Sequence, residues 1–209
     1  MRSSSVMRRA GGVIAVAAAL AFVGACGGEG HDGGGHGGEQ QPAASAGAGT
    51  PADAAGHNDA DVEFAQGMIP HHQQAVEMAE LAATRAANPK VKELASKIAA
   101  AQGPEIGQMN GWLTAWGAPP PATSGGHDTH GSMPGMMSDA DMAALEKATG
   151  RDFDKRFLEM MIEHHEGALR MATSEQQQGQ HPGAKALAQK IEADQTAEIE
   201  QMRTMLQSA

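Results

Sequence analysis

The sequence contains the same helical unit twice. FAQGMIPHHQQAVEMA, beginning at Phe64, returns 93 positions later as FLEMMIEHHEGALRMA, beginning at Phe157. With no gap, the same offset carries Pro89 onto Pro182, Leu94-Ala95 onto Leu187-Ala188, Lys97-Ile98 onto Lys190-Ile191 and Gln102 onto Gln195. It continues from Glu105-Ile106 to Glu198-Ile199, from Gln108-Met109 to Gln201-Met202 and from Leu113 to Leu206. About two in five aligned positions are identical, far above chance. Whatever this chain folds into is therefore assembled from two copies of one unit.

Each copy reads as a helix, a short turn and a second helix. Asn88-Pro89 and His181-Pro182 put proline in the first turn of the second helix, where a missing N–H costs nothing. Gly179 suits the end of the helix before it. Short connections favour antiparallel neighbours, so two copies predict an all-α, up-down bundle of four helices. Ser138 with Asp141 is a weak capping signal for a short extra helix before Gly150. Pro70 lies inside the first helix and is expected to kink it; the second copy has Glu163 there, so a kink is not needed by both.

Helical winding collects the chemistry on one face. At 100° per residue with Met68 at 0°, Phe64, His71, His72, Ala75, Met78 and Ala79 fall within a stripe about 120° wide, with Glu77 opposite. Phe157, Met161, His164, His165, Ala168, Met171 and Ala172 repeat the pattern. The partner helices align Ile98, Gln102, Glu105, Ile106, Met109 and Leu113, and the equivalents from Ile191 to Leu206, including Gln195, Glu198 and Met202. Four imidazoles thus face a bundle interior, where polar groups without partners are costly. They must find hydrogen bonds, which the Gln and Glu residues can supply, or metal.

Di-iron bundles use Glu-x-x-His on two helices; here the spacing is occupied by Met68-x-x-His71 and Met161-x-x-His164. Thioether with imidazole favours Cu(I), and imidazole also takes Cu(II), whereas zinc has little use for methionine. Copper, or silver as its soft analogue, is the expected ligand. The candidate metal residues are Met68, His71, His72, Met78, Met161, His164, His165 and Met171. Gln102, Glu105, Met109, Gln195, Glu198 and Met202 would support them or add ligands. The chain has 14 Met, and methionine is also a flexible core filler. Met133, Met136 and Met137 are expected to differ: they share a Gly/Pro linker with His127 and His130, where no core requires them, and could capture a soft ion. Trp112 and Trp116 suggest a hydrophobic plug at the bundle end, and His31, His36 and His57 solvated spacers.

The N-terminus predicts export. Arg2, Arg8 and Arg9 precede an apolar stretch, Val13 to Val23, that is shorter than the about 20 residues needed to span a bilayer. It ends in Val23-Gly24-Ala25-Cys26, and Cys26 is the only cysteine. This resembles a bacterial lipobox; an ordinary secretory signal with a chance cysteine is the alternative. Residues 1–25 then form a lipoprotein signal peptide and Cys26 is lipidated, anchoring the protein to the cell membrane. Residues 26–57, rich in Gly, Ala and His, form a flexible tether. The bundle occupies 58–207: repeat one 58–116, His/Met linker 117–138, repeat two 139–207.

The formal charge is −10, and losing three arginines with the leader makes it −13. Such a surface repels nucleic acid and attracts cations, and 3% aromatics with no Tyr offer few platforms for base stacking. No phosphate loop or H-E-x-x-H motif occurs, and no catalytic constellation is visible. The expected partners are the membrane and metal ions; self-association into a homo-oligomer is left open.

MIPHHQQAVEMA, the Ile-Ala-Ala-Ala-Gln…Glu-Ile helix, MPGMMS and FLEMMIEHHEGALRMA resemble the bacterial domain-of-unknown-function family numbered 305 over roughly residues 58 to 207. The resemblance implies a ferritin-like, exported bundle. Some members of that family are periplasmic copper-binding proteins of copper tolerance, so it implies the His71-His72 and His164-His165 pairs and nearby Met as ligands. The expected function is extracytoplasmic copper sequestration. A ferritin-like metal-dependent oxidoreductase and a metal-free structural or interaction module are the alternatives.

Overall fold

The computed structural model describes residues 56–121 and 133–208. Five helices are present in the order α1 (Asp59–Arg85), α2 (Pro89–Trp116), α3 (Asp139–Lys147), α4 (Gly150–Gln178) and α5 (Pro182–Gln207). The four long helices form the bundle and α3 is the short extra helix. No helix among the described residues is long and apolar enough to cross a membrane. Cys26, His31, His36, His127 and His130 lie outside the described residues, as does most of the expected tether.

Local chemistry sets the helix ends. Asn58 and Asp61 make a reciprocal capping box at the start of α1, and Ser138 with Asp141 makes another at α3, so the latter signal is stronger than the sequence suggests. Asn88 caps α2 through Lys90 N, and the His181 ring nitrogen accepts from Ala184 N at the start of α5. Proline takes the first turn of both α2 and α5. Gly179 ends α4 with an extended backbone rather than a left-handed one. What requires glycine there is space, because an added Cβ would meet the Glu175 carboxyl. α1 continues without a break through Pro70, and α2 through Pro104.

Two apolar clusters hold the bundle. One joins the C-terminal half of α1 (Ala75, Met78, Ala82), the N-terminal halves of α2 and α4 (Val91, Leu94, Phe153, Phe157) and the C-terminal half of α5 (Ile199, Met202). The other joins the opposite halves: Phe64, Met68 and Ile69 of α1, Met109 and Trp112 of α2, Ala168 of α4, and Leu187 and Ile191 of α5. Burying each large side chain in these clusters contributes roughly 1.5–3 kcal/mol relative to leaving it exposed. The membership of the clusters fixes the helix directions. α1 and α5 run one way, α2 and α4 the other.

The order is therefore up, down, down, up. The up-down expectation holds within each hairpin but not between them, because α2 and α4 are parallel. Successive parallel helices need a connection that travels the length of the bundle, as in ferritin-like folds; of the chain that joins α2 to α4, residues 117–121 and 133–149 are described. α1 packs on α2, α4 on α5, and α1 on α4.

The two halves also hold each other's turns. Asp61 in α1 is fully buried and accepts from Gln180 N and His181 N in the α4–α5 turn, at 3.1 and 2.8 Å. Asp154, its equivalent in α4, accepts from Ala87 N (3.1 Å) and Asn88 N (2.9 Å) in the α1–α2 turn. These reciprocal bonds extend the repeat N-terminal to Phe64.

Candidate metal centre

The paired histidines sit at the midpoints of α1 and α4, and the Gln/Glu pairs at the midpoints of α2 and α5, so all eight form a polar waist between the apolar clusters. His71, His72, His164 and His165 are completely buried. The outer ring of each pair is held by its own hairpin: His72 Nε2 lies 2.8 Å from Glu105 Oε2, and His165 Nε2 lies 2.7 Å from Glu198 Oε2. The inner rings, His71 and His164, meet across the two repeats with centroids 3.7 Å apart and planes inclined by 40°.

The hydrogen bonds select which ring nitrogens are free to bind something else. An ionised Glu105 or Glu198 accepts from an Nε2–H, which leaves Nδ1 as the lone-pair nitrogen. His71 Nε2 faces Pro134 O at 3.2 Å and donates likewise. Nδ1 of His71, His72 and His165, and both nitrogens of His164, are buried without a hydrogen-bond partner. Desolvation pushes the His71 pKa down to about 3, and the neighbouring His72 adds to the shift. Burial also lowers His72, against the pull of Glu105, and lowers His164 well below its usual value, with His71 as the next cause. These three rings are neutral at pH 7, the state in which imidazole is a metal ligand.

The methionines divide between the two sides of the waist. Met78, Met137, Met161 and Met202 belong to one cluster and Met68 and Met109 to the other, with half-buried Met171 packed against the latter. Among the described residues, no group of three or more His, Cys, Asp or Glu is gathered as a ready-made metal cage. The donors that face this interior are imidazole nitrogens and thioether sulfurs.

The linker expectation needs correction at Met137. Rather than lying free, Met137 is 4% exposed and part of the core. Gln74 fixes it with two bonds: Gln74 Nε2 donates to Met137 O (2.9 Å), and Met137 N donates to Gln74 Oε1 (2.8 Å). Just before it, Pro134-Gly135 lies across α4. Gly135 has φ +80°, and a Cβ there would approach the carbonyl oxygens of Glu163 (2.7 Å) and His164 (2.9 Å). Gly167 provides the matching space, since a Cβ on it would collide with Pro134 O. The segment is thus a strap over the inner histidines. Met133 is half-buried, and Met136 borders a shallow groove of about 260 Å³ with Pro70, Glu77 and Met142.

At one end, Trp112 is buried in the core and Trp116 stacks on it, centroids 5.9 Å apart, in keeping with a plug. His57, expected as a solvated spacer, is exposed but stacks on Trp116 at 4.7 Å. The sequence reading passed over three roles: Asp61 and Asp154 as turn clamps, Glu175 as a buried acid beside Asp61, and Lys190 as the partner of Glu105. The shared D-x-x-F of Asp61–Phe64 and Asp154–Phe157 was a signal for the first. Glu175 and the Lys190 pairing have none, since Glu175 replaces Ala82 and Lys97 also occupies the equivalent lysine position.

Comparison with known proteins follows the same outline. The family model described as "Domain of unknown function (DUF305)" matches residues 61–206. A DUF305 protein of Streptomyces coelicolor, assigned as secreted, is 35% identical with a TM-score of 0.65, covering 71% of this chain and 93% of that one. A DUF305 fragment of Deinococcus radiodurans is 31% identical with a TM-score of 0.67, covering 74% and 100%. CopM in its Cu(II)-bound form is 38% identical with a TM-score of 0.63, covering 71% and 96%; CopM has also been solved with Cu(I) and with silver. Among curated sequences, the uncharacterized protein L153 of Acanthamoeba polyphaga mimivirus is 40% identical over 53 residues, which are 25% of this chain. That match spans about a third of the relative's length.

Proposed function

The chain belongs to the DUF305 family, and from that premise we propose that it is a lipid-anchored, extracytoplasmic protein that binds copper and withholds it from the cell. The observation that carries this reading is the contact of His71 with His164, two neutral buried rings from different repeats whose Nδ1 atoms have no partner. Unpaired buried nitrogens cost about 1–3 kcal/mol each, and a metal ion would remove that cost. The relatives solved with Cu(I), Cu(II) and silver support the choice of metal. So does the donor set, in which sulfur and imidazole outnumber convergent carboxylates. Glu105 and Glu198 would orient the outer rings and raise their basicity. His71, His72, His164 and His165 are the proposed ligands, with Met68, Met78, Met161 and Met171, from the two clusters that flank the waist, as the candidate thioethers. The silver of the related structures is proposed to bind here too.

Titration of the protein with Cu(I) against a chromogenic chelator tests this. Uptake is expected in the wild type, and the double variant His71→Ala/His164→Ala should bind at least tenfold more weakly while remaining helical. Unchanged copper binding in that variant, with only lower thermal stability, would show that the rings are core residues. The anchor is tested separately. Cys26→Ser should move the protein from the membrane fraction to the soluble fraction, and retention on membranes would defeat the lipobox reading.

A further inference from the structure

The Gln/Glu pairs of the waist also line a groove between α2 and α5. It has a volume of about 270 Å³ and is bordered by the carboxylates of Glu105, Asp194 and Glu198 and the amides of Gln102 and Gln195, with Lys97 at its rim. Gln102 is 3% exposed, and neither its Oε1 nor its Nε2 has a partner; Gln195, also 3% exposed, has an unpartnered Oε1. Buried amide groups are ordinarily satisfied, so two orphaned ones lining the same acidic groove point to a missing occupant. Carboxylate and amide oxygens are the donors that divalent cations with a hard or borderline preference take.

A lysine already pairs with two of these carboxylates. Lys190 Nζ lies 2.9 Å from Glu105 Oε1 and 2.7 Å from Asp194 Oδ2. Its equivalent in the first repeat, Lys97, pairs instead with Glu93 at 2.7 Å. Glu198, the equivalent of Glu105, has a side chain 20% exposed against 9% for Glu105. The groove is also close to the imidazoles: Glu105 and Glu198 each touch it and each bond an outer histidine, so a single carboxylate separates it from each ring.

We propose that the α2–α5 groove is an oxygen-lined binding site for a divalent cation, with Lys190 as its built-in competitor. Resting further on the copper reading, it is the vestibule through which metal reaches the waist. The lysine ammonium holds, on Glu105 and Asp194, the place that an arriving cation takes, and the more open Glu198 side is where exchange begins.

Mn(II) serves as the probe of the groove in the full-length protein, read by paramagnetic broadening of the Gln102 and Gln195 side-chain amide signals. Lys190→Met should tighten Mn(II) roughly fivefold, the factor that one unit charge about 4 Å away carries in a water-wet groove. Lys155→Met, a lysine that pairs with Glu159 on α4 and does not border the groove, should leave the affinity unchanged. No broadening at those amides in wild type or Lys190→Met would overturn the proposal, as would equal effects of the two lysine variants. Uptake of Ag(I), followed by stopped flow, separates this from the copper reading. Faster uptake by Lys190→Met with unchanged stoichiometry supports the vestibule. Mn(II) in the groove without any Ag(I) uptake would sink the copper reading and leave the groove site standing. Ag(I) uptake at wild-type rate in Lys190→Met would sink the vestibule.

Discussion

Asp61 and Glu175 share a buried corner beside the α4–α5 turn, at 0% and 1% exposure. Burial alone would raise Asp61, but the backbone N–H groups of Asn58, His181 and Gln180, with help from Glu175, outweigh it and hold Asp61 low. Glu175 goes the other way: burial, then the neighbouring Asp61 carboxylate, push it up to about 8. Folding therefore takes up a proton at Glu175 between about pH 4.5 and about pH 8, and stability from this group falls as pH rises through that window. His71, His72 and His164 have the opposite sign. His71 titrates near 3 when folded and near 6.5 when unfolded, so its contribution is complete above 6.5 and lost as pH falls toward 3. Urea unfolding of the metal-free protein should show Glu175→Gln flattening the loss of stability toward pH 8 while leaving the acid limb in place. An unaltered alkaline limb would contradict the assignment. At this scale the imidazoles were legible because helical winding alone aims them inward. The His71–His164 contact was not, since it depends on how two hairpins dock and no periodicity within one hairpin records that.

The strap over α4 shows how one element divides its labour between the repeats. Positions 74 and 167 are equivalent, yet Gln74 grips the strap with two hydrogen bonds and Gly167 yields it space. Gly167→Ala should unseat Pro134-Gly135, at a cost of about 1–3 kcal/mol, as overpacking usually does. Gln74→Ala should cost on the order of 1 kcal/mol for each bond lost. Thermal unfolding measures both, and limited proteolysis should show faster cleavage near Met133–Met137 in each. If Gly167→Ala unfolds like wild type and stays resistant, the close approach is not what holds the strap. Helix starts were readable from sequence because caps are local: Asn-Pro, His-Pro and Ser-x-x-Asp each carry their own geometry. The burial of Met137 was not readable, because it depends on residues of other helices, Gln74 of α1 among them, and its flanking Gly and Pro suggest open chain.

For the whole molecule, duplication announced four helices, and the apolar stripes announced which faces they bury. It did not announce their order, because a duplicated hairpin satisfies its stripes equally well in either relative direction. The length of the chain between Gly117 and Thr149 was the available hint, since neighbours joined head to tail need only a short turn. The two clamps then add a condition that neither hairpin meets by itself. Asp61 closes a turn in the second half, and Asp154 closes a turn in the first. Half a chain would leave a buried carboxylate without its donors and a turn without its acceptor, so the halves should unfold in one transition. Nothing in that exchange requires both halves to belong to the same polypeptide. Two chains that traded hairpins through their long connections would satisfy every clamp, and both apolar clusters, as fully as one chain does. Refolding at high protein concentration is expected to trap such interlocked pairs, detectable by light scattering as dimers that persist on dilution, whereas Asp61→Ala/Asp154→Ala chains should lose that persistence.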